Sequence, residues 1–176
     1  MNQKRSVAVR RLCAFSLDWL LMVLWGGALF GAVMLATGGR PPRPDGPWQA
    51  QGIGFVTMTV PVLCYFAVCE SSVRRASVGK QVLGLIVSGE TGARLSFGSA
   101  LLRNAIKLAP WEFGHTVAQQ AAFSGEGGVP TWVWAPAAIA FGGPLCWVAG
   151  IAMRGRAPYD AWARARVERS AKHLLS

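Results

Sequence analysis

Three stretches of this chain run too long without charge to belong to an ordinary water-soluble fold. Thr131–Met153 is 23 residues without an Asp, Glu, Lys or Arg, Ile53–Cys69 is 17 without one, and Leu12–Ala36 is 25 with a single charge, Asp18. A membrane-spanning helix needs about 20 apolar residues. In the absence of water only a helix or a closed barrel satisfies its own backbone polar groups. The windows therefore predict three membrane-spanning helices. Trp132, Trp134 and Trp147 in the last window suit interfacial or packing positions, and Pro136 and Pro144 are expected to kink it. The first window follows four basic residues, as a secretory leader would, but at 25 residues it is too long for a leader's apolar core and should stay in the membrane.

The remaining charge is crowded between these windows. Charged residues are 15% of the chain, where about 25% is usual in soluble domains. The net charge of +10 raises nucleic acid as a partner. That reading needs a basic face on a soluble fold, whereas here Lys and Arg flank apolar runs, so the expected partners are the bilayer and its anionic headgroups, with no nucleic acid. Cys13, Cys64, Cys69 and Cys146 show no metal-site or disulfide spacing and are read as small packing residues.

Gly38–Pro47 (GGRPPRPDGP) must be a loop, since its four prolines remove donors and helix continuity. Val82–Val87, the turn SGETGA and Arg94–Phe97 predict a short hairpin lying against the cytoplasmic ends of the helices. Gly98–Phe123 is long enough to span but carries Arg103, Asn104, Lys107, Glu112 and His115. It is either a fourth span or an amphipathic helix in the interface. Charge counting favours the span. With four crossings and both termini inside, fourteen of the Lys and Arg residues lie in the cytoplasm and two outside. Three crossings would put the six basic residues from Arg154 onward outside, against the positive-inside rule. On a helical wheel Asn104, Glu112, His115 and Gln119 share one quadrant, with Arg103 and Lys107 beside them. The expected fold is an all-α membrane protein, a small bundle of three to four transmembrane helices with a cytoplasmic hairpin. One domain covers 1–176, with spans near 12–36, 53–69, 98–123 and 131–153 and a basic cytoplasmic tail at 154–176.

Several local patterns then line up. Arg11-Leu-Cys-Ala14-Phe-Ser-Leu-Asp18 resembles the R-x-x-A-x-x-x-D opening of the RDD family of prokaryotic membrane proteins. Ala76–Leu85 is similar to that family's A-T-x-G-K-x-x-x-G-L segment, with Val78 in place of the common proline. Leu95-Ser96-Phe97 followed by Leu101-Leu102-Arg103-Asn104 resembles its L-S-F…L-x-R-N stretch. Tyr159-Asp160 sits where the family's second aspartate follows the last span, although Ala161-Trp162-Ala163 departs from its usual arginine-leucine-alanine. The resemblance covers most of the chain and implies a multi-pass protein of the cell membrane, with cation/proton antiport suggested for some members.

The chemistry rests on six residues. A lone carboxylate such as Asp18, a turn and a half inside a span, costs several kcal/mol unless paired, protonated or hydrated. Arg11, two turns earlier, can approach it, as can Arg103 or Arg164. The pair is either a structural lock or part of an ion or proton path, and Arg11 is expected to bridge Asp18 and Asp160 near the cytoplasmic face. Glu112 and His115 are one turn apart, spaced for a hydrogen bond or proton relay; a single such pair is thin for a metal site, and none is expected. Gly79-Lys80 lacks a phosphate cradle and reads as a turn with a lipid-facing cation. With no nucleophile set or cofactor fingerprint, neither an enzyme nor a cofactor is expected. The leading expectation is a small exchanger of monovalent cations and protons, for which a homo-oligomer could complete the path. The alternative is a non-transport scaffold or accessory subunit whose buried charges are structural.

Overall fold

The computed structural model describes residues 2–41 and 43–170. Four long helices account for most of it. The first, α1 (Asn2–Ala36), contains the first apolar window, and the last, α6 (Trp134–Arg154), holds all of the third but its first three residues, which form a 3-10 turn. Between them lie a composite helix, formed by α2 (Pro47–Gly54), a π-helical turn (Phe55–Thr59) and α3 (Val60–Ser71), and then α5 (Phe97–Phe123). Among the described residues three segments are long and apolar enough to cross a bilayer: Val7–Ala36, Pro47–Ser71 and Thr131–Arg154. The second is longer at both ends than the 53–69 expected. It begins with Pro47 in the first turn, where a missing N–H costs nothing, and runs past Cys69 to take in Glu70. Residues 98–123 form one continuous helix, α5, packed against α2, α3 and α6. At about 1.5 Å per residue its 27 residues reach about 40 Å.

The π turn has an identifiable cause. Pro61 follows it, and a proline ring inside a helix collides with the carbonyl four residues back while offering that carbonyl no N–H. That residue is Thr57, and its oxygen accepts a hydrogen bond from the Trp25 indole N–H of α1 at 3.0 Å. The widened turn thus makes room for the ring and ties α1 to the composite helix.

Two short helices and a small sheet complete the fold at one end: α4 (Val78–Val82), β1 (Leu85–Gly89), α7 (Pro158–Trp162) and β2 (Ala165–Arg169). The sheet corrects the expected hairpin. β1 pairs antiparallel not with Arg94–Phe97 but with the tail strand β2, Leu85 opposite Arg169 and Val87 opposite Val167. The turn after β1 closes with Gly89 N–H to the Ala93 carbonyl at 2.8 Å, and Leu95 then leaves the sheet for the core. Val87, Leu95 and Ala165 pack with Ala67, Ala100 and Ala163, so the sheet's apolar face is closed against α3 and α5. Elsewhere large apolar side chains such as Leu24, Phe30, Phe141 and Leu145 stand exposed on the outer faces of α1 and α6, as a lipid-facing surface requires.

Candidate functional site: a buried charge chain

The site lies where the sheet end of the bundle meets α1. Its first contact is the docking of α4 onto α1. Gly79 sits so close to α1 that a Cβ there would lie 2.1 Å from the Ala14 carbonyl oxygen, and Ala14 itself is buried. Both positions are held small by one backbone approach. That approach lets Asp18, one turn above Ala14, serve the start of α4 from outside. Asp18 Oδ1 accepts from the Gly79 N–H at 2.9 Å and from the Tyr65 hydroxyl at 3.0 Å, and Oδ2 accepts from the Ser77 hydroxyl at 2.6 Å. Tyr65 in turn accepts from the Val78 N–H at 2.9 Å. The first two free amides of α4 are thereby satisfied by side chains of α1 and α3, a substitute for the local cap this helix lacks. Arg11 does not bridge to Asp18 as expected, because polar groups of α3 and α4 occupy both carboxylate oxygens.

Arg11 turns to the other end of the chain. Its Nη2 meets Asp160 Oδ2 at 2.5 Å and the Tyr159 hydroxyl at 3.4 Å. Arg103 reaches the other oxygen of Asp160 with Nε at 2.9 Å and Nη2 at 2.6 Å, and donates Nη1 to Glu70 Oε2 at 2.6 Å. Glu70 Oε2 also accepts from Asn104 at 2.8 Å, while Oε1 accepts from Lys80 at 2.7 Å. The result is an alternating line, Lys80–Glu70–Arg103–Asp160–Arg11, whose members come from α4, α3, α5, α7 and α1. Glu70 and Asp160 are fully buried and Arg103 almost so. Burial alone would raise the carboxyl pKa of Asp160, but the Arg103 and Arg11 guanidinium groups hold it below its ordinary value. Burial pushes the Tyr159 phenol up.

Three of the six expected residues, Arg11, Arg103 and Asp160, thus meet directly, and Asp18 lies beside them at the start of α4. Glu112 and His115 do not join. They lie nine and twelve residues beyond Arg103 on α5, at least about 13 Å along the axis. There Glu112 accepts from the Thr59 hydroxyl and from Gln51 at 2.9 Å, and His115 Nδ1 stands 3.4 Å from it. The His115 ring packs edge-on to the exposed Trp111, and Glu112 and His115 are half-buried. Among the described residues no group of three or more His, Cys, Asp and Glu is placed to hold a metal ion.

Three participants escape a reading by apolar windows. Glu70 ends the second window by being charged, so it falls outside the expected span. Lys80, expected to face lipid, is buried on Glu70. Asn104 lies on the polar face of α5, but only its spacing from Glu70 in space gives it a partner.

Beside the site a cavity of 580 Å³ opens between α1, α5 and α6. Arg11, Asp18, Lys80, Arg103 and Lys107 lie in its lining at one end, His115 and Trp111 farther along, and the walls are mostly apolar.

Compared with known families, residues 5–164 match the family model described as the RDD family. No curated protein and no solved structure matches the chain.

Proposed function

The chain belongs to the RDD family, and from that premise we propose that it is a non-transport module of the prokaryotic cell membrane, a scaffold or accessory subunit whose buried charges clasp the helices together. The observation that carries this reading is the saturation of the three carboxylates. Each of the six oxygens of Asp18, Glu70 and Asp160 accepts at least one hydrogen bond from the protein. A cation on a transport path needs oxygens free to replace its hydration shell. Here those oxygens are occupied, and the surrounding side chains carry more positive than negative charge, which disfavours a cation further. Breaking a buried pair leaves an uncompensated charge at a cost of about 3–5 kcal/mol, so the line is poorly suited to opening and closing in a transport cycle.

In this reading the bundle crosses the membrane four times with α5 as the third crossing, and both termini and the sheet lie in the cytoplasm. The support is the concentration of Lys and Arg at the sheet end, together with the packing of α5 inside the bundle, where its polar residues find partners.

One observation favours the alternative of proton-coupled cation exchange: Asp18 and His115 line the same cavity. The two readings part in proteoliposomes loaded with a pH-sensitive dye. The module reading expects an imposed sodium or potassium gradient to move no more protons than in protein-free vesicles. Cation-dependent proton movement that disappears in Asp18→Asn would establish the exchanger instead.

A further inference from the structure

The charges around the site do not balance. Three carboxylates, Asp18, Glu70 and Asp160, face four cations, Arg11, Lys80, Arg103 and Lys107. Three of the cations are in ion pairs, and the fourth is not. Among the described residues Lys107 forms no ion pair: its ammonium stands 3.5 Å from Asn104 Oδ1 and 3.5 Å from the centre of the buried Phe66 ring. It lies in the lining of the 580 Å³ cavity, where the one carboxylate present, Asp18, has its oxygens occupied.

The walls of that cavity come from α1, α5 and α6. On α1, Ala8 packs on the cluster of Ile151, Ala157 and Tyr159, Ala14 meets α4, Met22 packs on the cluster of Val62, Phe66 and Leu108, and Gly26 lies against Met58. Leu12 and Phe15 of α1 and Phe141 and Val148 of α6 line the cavity. All four side chains are also exposed on the outer surface, so the cavity communicates with the space that lipid tails fill. An apolar cleft open to the bilayer, ending at a cation without a counter-ion, is complementary to one kind of molecule already present around it. We propose that this cleft binds a phospholipid of net negative charge, one whose headgroup carries a phosphodiester and no cation of its own, with the phosphate on Lys107 and acyl chain carbons between α1 and α6. The volume is within the range of about 300–1,000 Å³ usual for small-molecule sites. A phosphate oxygen accepting from an ammonium makes the stronger, charge-assisted kind of hydrogen bond. Binding is read without any flux, so its failure would leave the membrane-module reading untouched.

Trp19, Trp111 and Trp147 line the cavity and report on it. The protein is reconstituted in phosphatidylcholine vesicles containing increasing brominated phosphatidylglycerol, or brominated phosphatidylcholine at equal bromine content, and tryptophan quenching is followed. The expected result is a saturable component with the anionic lipid alone. Its half-saturating fraction should rise about tenfold in Lys107→Gln, equivalent to about 1.4 kcal/mol, and stay near wild type in Lys107→Arg. Should Lys107→Gln fail to fold, Val148→Phe, which fills the wall with Lys107 intact, should remove the same component. Millimolar inorganic phosphate in the buffer should not displace it. Identical curves for the two lipids, or a component unchanged by Lys107→Gln and Val148→Phe, would overturn the proposal. Displacement by free phosphate would overturn the lipid as occupant in favour of a soluble anion.

Discussion

Replacing Gly79 by alanine tests the docking of α4 on α1 with the smallest possible perturbation. The added Cβ would lie 2.1 Å from the Ala14 carbonyl oxygen and 3.0 Å from Asp18 Cγ. The first obstacle is helix backbone, which cannot turn aside as a flexible side chain would. Ordinary contact begins near 3.4 Å, so α4 must retreat by about 1.3 Å, a large step for a close-packed interior. The Gly79 N–H to Asp18 bond, now 2.9 Å, would then exceed hydrogen-bond range, and the Ser77 hydroxyl bond would stretch with it. Hydrogen bonds to a charged group contribute about 1.5–3 kcal/mol each. With Tyr65 still donating to Asp18, the net loss should be about 3 kcal/mol, and Lys80, carried on the same helix, should loosen from Glu70. The assay is unfolding in mixed micelles titrated with SDS, followed by tryptophan fluorescence and circular dichroism. Gly27→Ala is the control: it lies in α1 with nothing near its would-be Cβ, and should be neutral or stabilise slightly by helix propensity. A Gly79→Ala protein within about 0.5 kcal/mol of wild type would refute the close-approach argument.

Other outcomes follow from the same geometry. Asp160 titrates below its unfolded value, so the stability it contributes is present above an unfolded pKa of about 3.9 and is lost as pH falls through the lower folded value. Unfolding measured from pH 7 to 3 should therefore show an acid-side loss that Asp160→Asn reduces, that variant being already weaker at pH 7 by about 3–5 kcal/mol. Trp25→Phe should cost about 0.6–1 kcal/mol in the same assay, because the Thr57 carbonyl loses its indole donor; no loss would mean that water or local relaxation satisfies it equally well. Reporter fusions after Ser124 and after Ser176 should lie on opposite sides of the membrane, and the same side for both would place α5 in the interface.

The parts of this fold readable from sequence are those dictated by the bilayer. Uncharged windows located α1, the composite helix and α6, because a span cannot tolerate unpaired charge whatever its neighbours. Asp18 and Arg103 stood out for the complementary reason, as charges inside expected spans where lipid would penalise them, whereas Arg11 and Asp160, which flank the spans, stood out through the family resemblance. Their partners were not readable, because partnership is set by three-dimensional closure. Nothing local tells that Glu70, at the end of α3, meets Arg103 thirty-three residues later, or that Lys80 turns inward on Gly79's close approach. The sheet shows the same limit. Of the expected strand Val82–Val87 only Leu85–Val87 lie in β1, Val82 ending α4, and the nearest extended segment, containing Leu95, has its apolar side chain claimed by the core. The tail strand, nearly eighty residues away, is brought alongside by the α6–α7 corner. That corner turns at Gly155, which ends α6 with φ of +70°, and is closed by Asp160 itself, whose Oδ2 accepts from the Ala157 N–H at 3.2 Å.

The central claim is that these buried charges act as a clasp, and a double-mutant cycle on Glu70 and Lys80 tests it most directly. Glu70→Gln, Lys80→Met and the double variant are unfolded in SDS alongside wild type. The clasp predicts that each single change destabilises by several kcal/mol, since each leaves a buried charge without its partner. It also predicts that the double variant is more stable than the two single losses sum to, with a coupling of about 1–3 kcal/mol. Additive losses, or single variants as stable as wild type, would contradict it.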